Sequence, residues 1–491
     1  MKRKPSAPQS IKTLDKDLGR IGTLELATQT VSRPLIAPGI ALAFMVLVGI
    51  GASVFTGGQP MGLVVVAASV FGAYMALNIG ANDVANNMGP AVGARALTLG
   101  GALIIAAVCE TAGALLAGGD VVGTVSRGII APESVAEPQI FIWAMMAALI
   151  SAALWINLAT IIGAPVSTTH SVVGGVMGAG IASAGFAAVN WPVMGAIAAS
   201  WVISPIMGGV IAAAFLAFIN ARIIYVPDKI AAARVWVPVL IGVMAGTFTV
   251  YMGIKGITRI YKPGLGLSML AGIVAAVLIW WIMRPVIRHQ SEGLENRNKS
   301  LKTLFSIPLV FSAALLSFAH GANDVANAVG PLAAIVHAVG EGGASDAAVE
   351  IPIWVMLIGA VGLSVGLILF GPKLIRMVGS EITKLNAMRA WCVALAAAIT
   401  VIIASWLGLP VSSTHIAIGG IFGVGFFREW YAENVLRKER NNGTLPPEER
   451  IRRKLVRRSH FLTIIAAWVI TVPAAALLSA GVFRLLNLIT L

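Results

Sequence analysis

An all-α protein that crosses a membrane many times is the fold class this sequence predicts, and three observations predict it. Of its 491 residues, 58% are hydrophobic and only 11% charged, with a mean hydropathy of +0.88. A soluble domain carries about 25% charged residues, so this chain cannot present an ordinary wet surface. Apolar runs of about 20 residues recur along it, each long enough to span a hydrocarbon core of about 30 Å. The charge collects in the tails and loops between those runs.

In chain order the runs include 36–55, 96–118, 140–163, 236–254, 266–283, 351–371 and 461–483. In lipid a backbone must satisfy its own hydrogen bonds, so each run is expected to be helical. About 12–13 hydrophobic segments are expected, some of them hairpins or half-helices. Glycine is abundant, at 53 residues, and small residues let membrane helices approach closely. Cys109 and Cys392 lie far apart in apolar runs and imply neither a disulfide nor a metal cluster. No resident metal or cofactor is expected. The net charge of +14 sits where membrane topology selects it, which argues against a nucleic-acid partner and for the lipid bilayer. The first 35 residues are polar and the first apolar run is long, so no cleavable signal peptide is expected.

The chain carries an internal duplication. Residues 78–90 read Asn-Ile-Gly-Ala-Asn-Asp-Val-Ala-Asn-Asn-Met-Gly-Pro, and residues 319–331 read Ala-His-Gly-Ala-Asn-Asp-Val-Ala-Asn-Ala-Val-Gly-Pro. A second element follows each: Gly-Ala-Pro-Val-Ser-Thr-Thr-His at 163–170 and Gly-Leu-Pro-Val-Ser-Ser-Thr-His at 408–415. A weaker third pair is Ala-Ser-Trp-Val-Ile at 199–203 and Ala-Ala-Trp-Val-Ile at 466–470. Three elements in one order define repeats at about 61–218 and 305–485. A tail at 1–35 and an extra transmembrane helix at 36–56 precede the first repeat. A connecting region at 219–304, with two transmembrane helices, separates the repeats, and a basic loop at 428–459 lies within the second.

Positive charge sets the expected orientation. The tail (Lys2, Arg3, Lys4, Lys12, Lys16), the linker with Arg284, Arg288, Arg297, Lys299 and Lys302, and the loop 428–459 are expected on the cytoplasmic side. The repeats then enter the membrane from opposite sides, with the N-terminus inside and the C-terminus outside. Lys255, Arg259 and Lys262 fall on the outer side as an exception to this bias. Inverted repeats are the architecture of many secondary transporters, which hold substrate near the midplane between the copies.

The chemistry-bearing residues follow the repeats. Asp83 and Asp324 are carboxylates at the ends of apolar helices, where a charge costs about 2.5–3.5 kcal/mol. Helical spacing brings Asn82, Asp83 and Asn86 to one side, as it does Asn323, Asp324 and Asn327. Such oxygens suit a hard cation such as Na⁺, or a proton on the carboxylate. Gly80, Gly89 and Pro90, with Gly321, Gly330 and Pro331, are expected to break the helix and expose backbone ligands. The second element supplies hydroxyls at Ser167, Thr168 and Thr169, and at Ser412, Ser413 and Thr414. Pro165 and Pro410 suggest that a helix restarts there, and a helix N-terminus is an anion site. His170 and His415 could donate to an oxyanion, relay a proton or be structural. Glu110, ionisable at membrane depth, is a candidate for transport or proton relay. His320 precedes only the second motif, where the first has Ile79, and is expected to matter less.

The two Gly-Ala-Asn-Asp-Val-Ala-Asn motifs, Gly80–Asn86 and Gly321–Asn327, resemble the signature of the inorganic phosphate transporter (PiT) family. The Pro-Val-Ser-(Thr/Ser)-Thr-His elements are similar to its second signature, and Cys109-Glu-Thr-Ala-Gly113 resembles its Glu-Thr-Thr-Gly segment. The resemblance covers about residues 61–485, less the central insertion. It implies a cation-coupled phosphate symporter in which the Asn/Asp motifs and the hydroxyl clusters form the substrate and cation sites, and Glu110 takes part in transport. One departure is Val393-Ala-Leu395, where family members often have an Ile-Glu-Leu run; this bears on stoichiometry and cation choice.

The expected function is therefore phosphate symport with Na⁺ or H⁺ by alternating access, in the plasma (inner) membrane, with a homodimer left open. Asn82, Asp83, Asn323 and Asp324 are expected on the cation. Asn86 and Asn327, with the hydroxyl clusters, are expected on the anion. Sulfate or another tetrahedral oxyanion is the nearest alternative, and a channel is another. An intramembrane hydrolase using Ser167, His170 and Asp83 is the remote one, since triads are recognised by geometry. The doubling of every element argues against it, and no enzymatic activity is expected.

Overall fold

The computed structural model describes residues 35–58, 61–130, 134–135, 137–162, 166–256, 263–340, 351–377, 386–436 and 458–490. The basic tail, Gly163–Pro165, Arg259, Lys262 and most of the basic loop lie outside the described residues. What is described is helical. In chain order the helices are α1 (Leu35–Thr56), α2 (Gly62–Gly93), α3 (Leu99–Ala117), α4 (Gly119–Gly123), α5 (Pro138–Ile162), α6 (Thr168–Ala184), α7 (Trp191–Ile219), α8 (Lys229–Tyr251), α9 (Leu265–Gln290), α10 (Asn298–Leu304), α11 (Ser306–Gly340), α12 (Ile353–Met377), α13 (Ala387–Trp406), α14 (Ser413–Tyr431) and α15 (Arg458–Thr490). Among the described residues, eleven of these helices are long and apolar enough to cross a membrane. Helices α6 and α14 start inside the protein, with residues 166–171 and 410–417 buried.

Helix contacts come in matched pairs. Helix α2 lies along α12, and α11 along α3; α6 lies along α15, and α14 along α7; α5 packs on α15, and α13 on α7. Numbering each repeat from its Asn/Asp helix, α2, α3, α6 and α7 of the first copy thus find their main neighbours in the second, while α5 and α13 pack most on α6 and α11 of their own copies. The copies are interlocked rather than set side by side, so their motifs meet at the centre. Helices α8 and α9 of the connecting region pack on each other. Leu270, Ile273, Val277 and Trp281 of α9 are exposed, an apolar surface suited to lipid.

One expectation is overturned. Neither Asn/Asp motif breaks its helix: Asp83 and Asp324 lie within α2 and α11, which continue through Pro90 and Pro331. The glycines have another use. A Cβ on Gly80 would collide with the Leu363 carbonyl of α12, and one on Gly321 with the Glu110 carbonyl of α3. Gly366 and Gly113 meet the Leu77 and Phe318 carbonyls in the same way. These glycines let paired helices touch backbone to backbone, the usual role of small residues in membrane packing. The chain interruptions lie instead before α6 and α14. There Ser167 and Ser412 are N-caps whose hydroxyl oxygens accept the main-chain N–H of His170 and His415, at 3.2 and 3.3 Å. Pro410 lies outside the helix, so the serine sets where α14 starts.

Lys255, the expected exception to the charge bias, has a partner: its ammonium pairs with Asp120 of α4. This ties the end of α8 to the first repeat. Asp120 in turn packs by its carbonyl near Gly408, whose positive φ of 67° turns the chain from α13 towards α14.

Candidate functional site

Helices α2 and α11 pack against each other, and the N-termini of α6 and α14 close on their Asn/Asp motifs. Thr168 Oγ1 donates to Asp83 Oδ2 at 3.0 Å, and the matching Ser413 Oγ donates to Asp324 Oδ2 at 3.2 Å. Asn86 Nδ2 donates across to Thr414 Oγ1 at 2.7 Å, and the matching Asn327 Nδ2 donates to Thr169 Oγ1 at 3.2 Å. Thus the first hydroxyl of each helix serves the aspartate of its own repeat, and the second serves the asparagine of the other. Both repeats must be folded for either half to be complete.

The symmetry is partial. Asp83 Oδ1 also accepts from Thr414 Oγ1 at 3.2 Å and from Asn82 Nδ2 at 3.0 Å. Thr169 Oγ1 instead donates to the Val411 carbonyl at 2.9 Å. Asn323 fastens the segment before α14: its Nδ2 donates to Ser405 Oγ and the Leu409 carbonyl, and its Oδ1 accepts the Val411 N–H at 3.1 Å. Asn82 and Asn86 are half-buried, whereas Asn323 and Asn327 are each 1% exposed. The first motif is therefore the one nearer to solvent.

His170 and His415 stand edge to face with ring centroids 4.5 Å apart, and Trp201 packs on His170 while its Nε1 donates to the Pro410 carbonyl at 3.0 Å. The two histidines meet between the helix starts. Ser167 is engaged as a cap, and Asp83 is bonded to Thr168, Thr414 and Asn82, so these side chains serve the two helix starts and the first motif.

The structure gives His320 a position that sequence reasoning undervalued. Fully buried, its Nε2 lies 2.7 Å from Asp324 Oδ2 and 3.7 Å from Asp83 Oδ2, while Nδ1 lies 3.2 Å from Glu110 Oε1. One ring thus links three carboxylates, and one ligand atom each from Asp83, His320 and Asp324 lie within 4.8 Å of one another. That spacing could hold a cation. Asn87, also missed, donates by Nδ2 to Glu110 Oε1 at 3.0 Å. The available signal was the mismatch between the copies: Ile79 against His320, and Asn87 against Ala328. Several buried oxygens have no hydrogen-bond partner among the described residues: Asp324 Oδ1, Asn327 Oδ1, Glu110 Oε2 and Asn87 Oδ1. All are acceptors, and a buried unsatisfied acceptor costs about 1–3 kcal/mol. They would be satisfied by a cation or by a ligand that donates.

Ionisable and hydroxyl groups gathered between two interlocked copies, inside a bundle of membrane-length apolar helices, define a helical membrane transport protein. The sequence matches the phosphate transporter family over residues 79–479. It is 42% identical to a "Putative phosphate permease" of Helicobacter pylori, over 96% of this chain and 99% of that one. It is 36% identical to a protein of similar printed description from Thermococcus kodakarensis, over 86% of this chain and 97% of the relative. Among solved structures, one titled "The sodium-dependent phosphate transporter" superposes with a TM-score of 0.78 at 34% identity, covering 87% of this chain and all of that one. This chain belongs to the phosphate transporter family.

Proposed function

We propose that the chain is a secondary active symporter that moves inorganic phosphate with Na⁺ by alternating access between two antiparallel repeats. The observation that carries this reading is the crossed bonding of the two motifs: each repeat's aspartate is bonded by its own helix start, and each asparagine by the other's. A site shared in this way can register the movement of one repeat against the other. The printed title of the structural neighbour and the hard oxygen ligands favour Na⁺ over a proton.

The residues would act as follows. Asp83 and Asp324 hold cations, since two buried carboxylates need counter-charge before an anion can enter between them. With a cation on Asp83, the hydroxyls of Thr168 and Thr414 are released from it and turn to the anion. The exposed N–H groups and positive dipole ends of α6 and α14 add to them. No Arg or Lys has to be stranded in the membrane. Phosphate carries a proton at neutral pH and can donate to the open oxygens Asp324 Oδ1 and Asn327 Oδ1; sulfate cannot. The chain is read with its N-terminus in the cytoplasm and its C-terminus outside, in the plasma membrane. No chemical step belongs to this reading, so Ser167→Ala should weaken transport through a lost cap without abolishing a reaction.

Radiolabelled phosphate uptake into proteoliposomes tests it, with imposed Na⁺ or proton gradients and unlabelled sulfate as competitor. Expected is accumulation that follows the Na⁺ gradient, ignores sulfate and is lost in Asp83→Asn. Accumulation that follows only the proton gradient would replace the coupling ion. Uptake of labelled sulfate instead of phosphate would overturn the substrate.

A further inference from the structure

Three polar side chains that break the near-symmetry of the centre fall together. They are Asn87 of α2, Glu110 of α3 and His320 of α11, where the other copy has Ala328, Leu363 and Ile79. Glu110 matches Leu363 because Gly321 rests on the Glu110 carbonyl as Gly80 rests on the Leu363 carbonyl. All six side chains are buried. On one flank of the aspartate pair these positions are therefore apolar, and on the other they bring a carboxylate, an amide and an imidazole into contact.

Within that cluster the donors are unevenly spent. His320 Nδ1 at 3.2 Å and Asn87 Nδ2 at 3.0 Å both face Glu110 Oε1. Glu110 Oε2 and Asn87 Oδ1 have no hydrogen-bond partner among the described residues, although Glu110 is 0% and Asn87 1% exposed. Two residues already joined by a hydrogen bond thus each keep one buried oxygen open. An ionised carboxylate buried in this way needs counter-charge, and its open oxygen, with the open amide oxygen of its hydrogen-bonded neighbour, supplies the hard ligands that a cation takes. The imidazole and the Asn87 amide both occupy Oε1, which leaves Oε2 as the open oxygen, and such second contacts commonly fix the orientation of ligating groups.

We propose that Glu110 Oε2 and Asn87 Oδ1 form part of a second site, for a dehydrated alkali-metal cation, separate from the aspartate pair and present on one flank only. The inference rests on reading the chain as a cation-coupled transporter. It gives the glutamate a defined ligand, and it makes the cation complement of the two repeats unequal.

Equilibrium binding of ²²Na⁺ to the purified full-length protein, without phosphate, tests it. Glu110→Gln keeps the shape and hydrogen bonds of a neutral glutamic acid while removing the charge. Asn87→Ala installs the residue that the other copy itself carries at the matching position. Each should weaken one class of Na⁺ sites by at least about tenfold, the factor that about 1.4 kcal/mol produces. Glu110→Asp, which keeps the charge, should retain more binding than Glu110→Gln. Asp83→Asn should affect a different class. If Glu110→Gln binds Na⁺ as the wild type does, Glu110 is a neutral acid closed onto Asn87 by its own proton, and the proposal is overturned. Failure of the wild type to bind Na⁺, K⁺ or Li⁺ overturns it too. Phosphate uptake by the wild type, measured separately, decides the transport reading, so the two can fail independently.

Discussion

At the scale of single residues, the clearest separation of roles is among the glycines. Gly80 and Gly321 carry no special backbone angle; they are small because another helix's carbonyl occupies the place of their Cβ. Gly321→Ala should cost about 1–3 kcal/mol through overpacking. Gly100→Ala, where the new methyl meets nothing within 4 Å, should be neutral or stabilise by up to about 1 kcal/mol. Thermal unfolding of the two variants in detergent makes the comparison; equal melting temperatures would refute the close-approach argument. The motif asparagines divide in a similar way. Asn323 spends its whole amide on the segment before α14, whereas Asn327 leaves its oxygen open. The pair looks equivalent in sequence because the spacing is equivalent, and only the neighbours tell them apart.

At the scale of elements, the short helices α6 and α14 are the parts that create the site, because a helix that starts inside a protein brings its unpaired N–H groups there. Their caps are therefore more than decoration. Ser412→Ala should destabilise by about 1 kcal/mol, the usual effect of losing an N-cap, and should raise the KM for phosphate more than it lowers the maximal rate. A maximal rate that falls with an unchanged KM would place Ser412 outside the anion's surroundings. The tie between α8 and α4 belongs to this scale as well. Lys255 and Asp120 have side chains 27% and 46% exposed, so solvent screens them. A double-mutant cycle on Lys255→Gln and Asp120→Asn should return a coupling of about 0–1 kcal/mol that shrinks as salt is added. A coupling that ignores salt would mean that the pair is buried in the folded membrane protein.

At the scale of the whole molecule, the interlocked copies make an unequal pair. Asn82 and Asn86 are half-buried while Asn323 and Asn327 are shut away, so the first motif is the more accessible of the two. In a background with Cys109 and Cys392 replaced by alanine, Asn82→Cys should react with a membrane-impermeant thiol reagent from one side and Asn323→Cys should be protected. Substrate and cation together should change that ratio. Equal labelling of both positions from both sides would describe an open channel rather than alternating access. The same arrangement explains why the asymmetric trio Asn87, Glu110 and His320 matters: two equal halves would offer equal sites.

The helical membrane class was legible in the sequence, and so was the duplicated set Asn82, Asp83, Asn86, Ser167, Thr168 and Thr169 with their partners, whose side chains the fold brings together, because hydropathy and duplication are local signals written in the order of residues. The break expected at Gly80 and Pro90 was misread, because a glycine that permits contact and a glycine that permits bending are identical letters. His320 was undervalued for a related reason: its weight comes from Asp83 and Glu110, which sit 237 and 210 positions away and reach it only when α2 and α3 pack on α11. What the sequence determined by itself is that apolar length and a repeated polar motif require a membrane bundle with a doubled centre. What only the tertiary structure decided is which oxygens share a donor and which are left open, since hydrogen bonds reach about 3 Å and sequence separation says nothing about that distance.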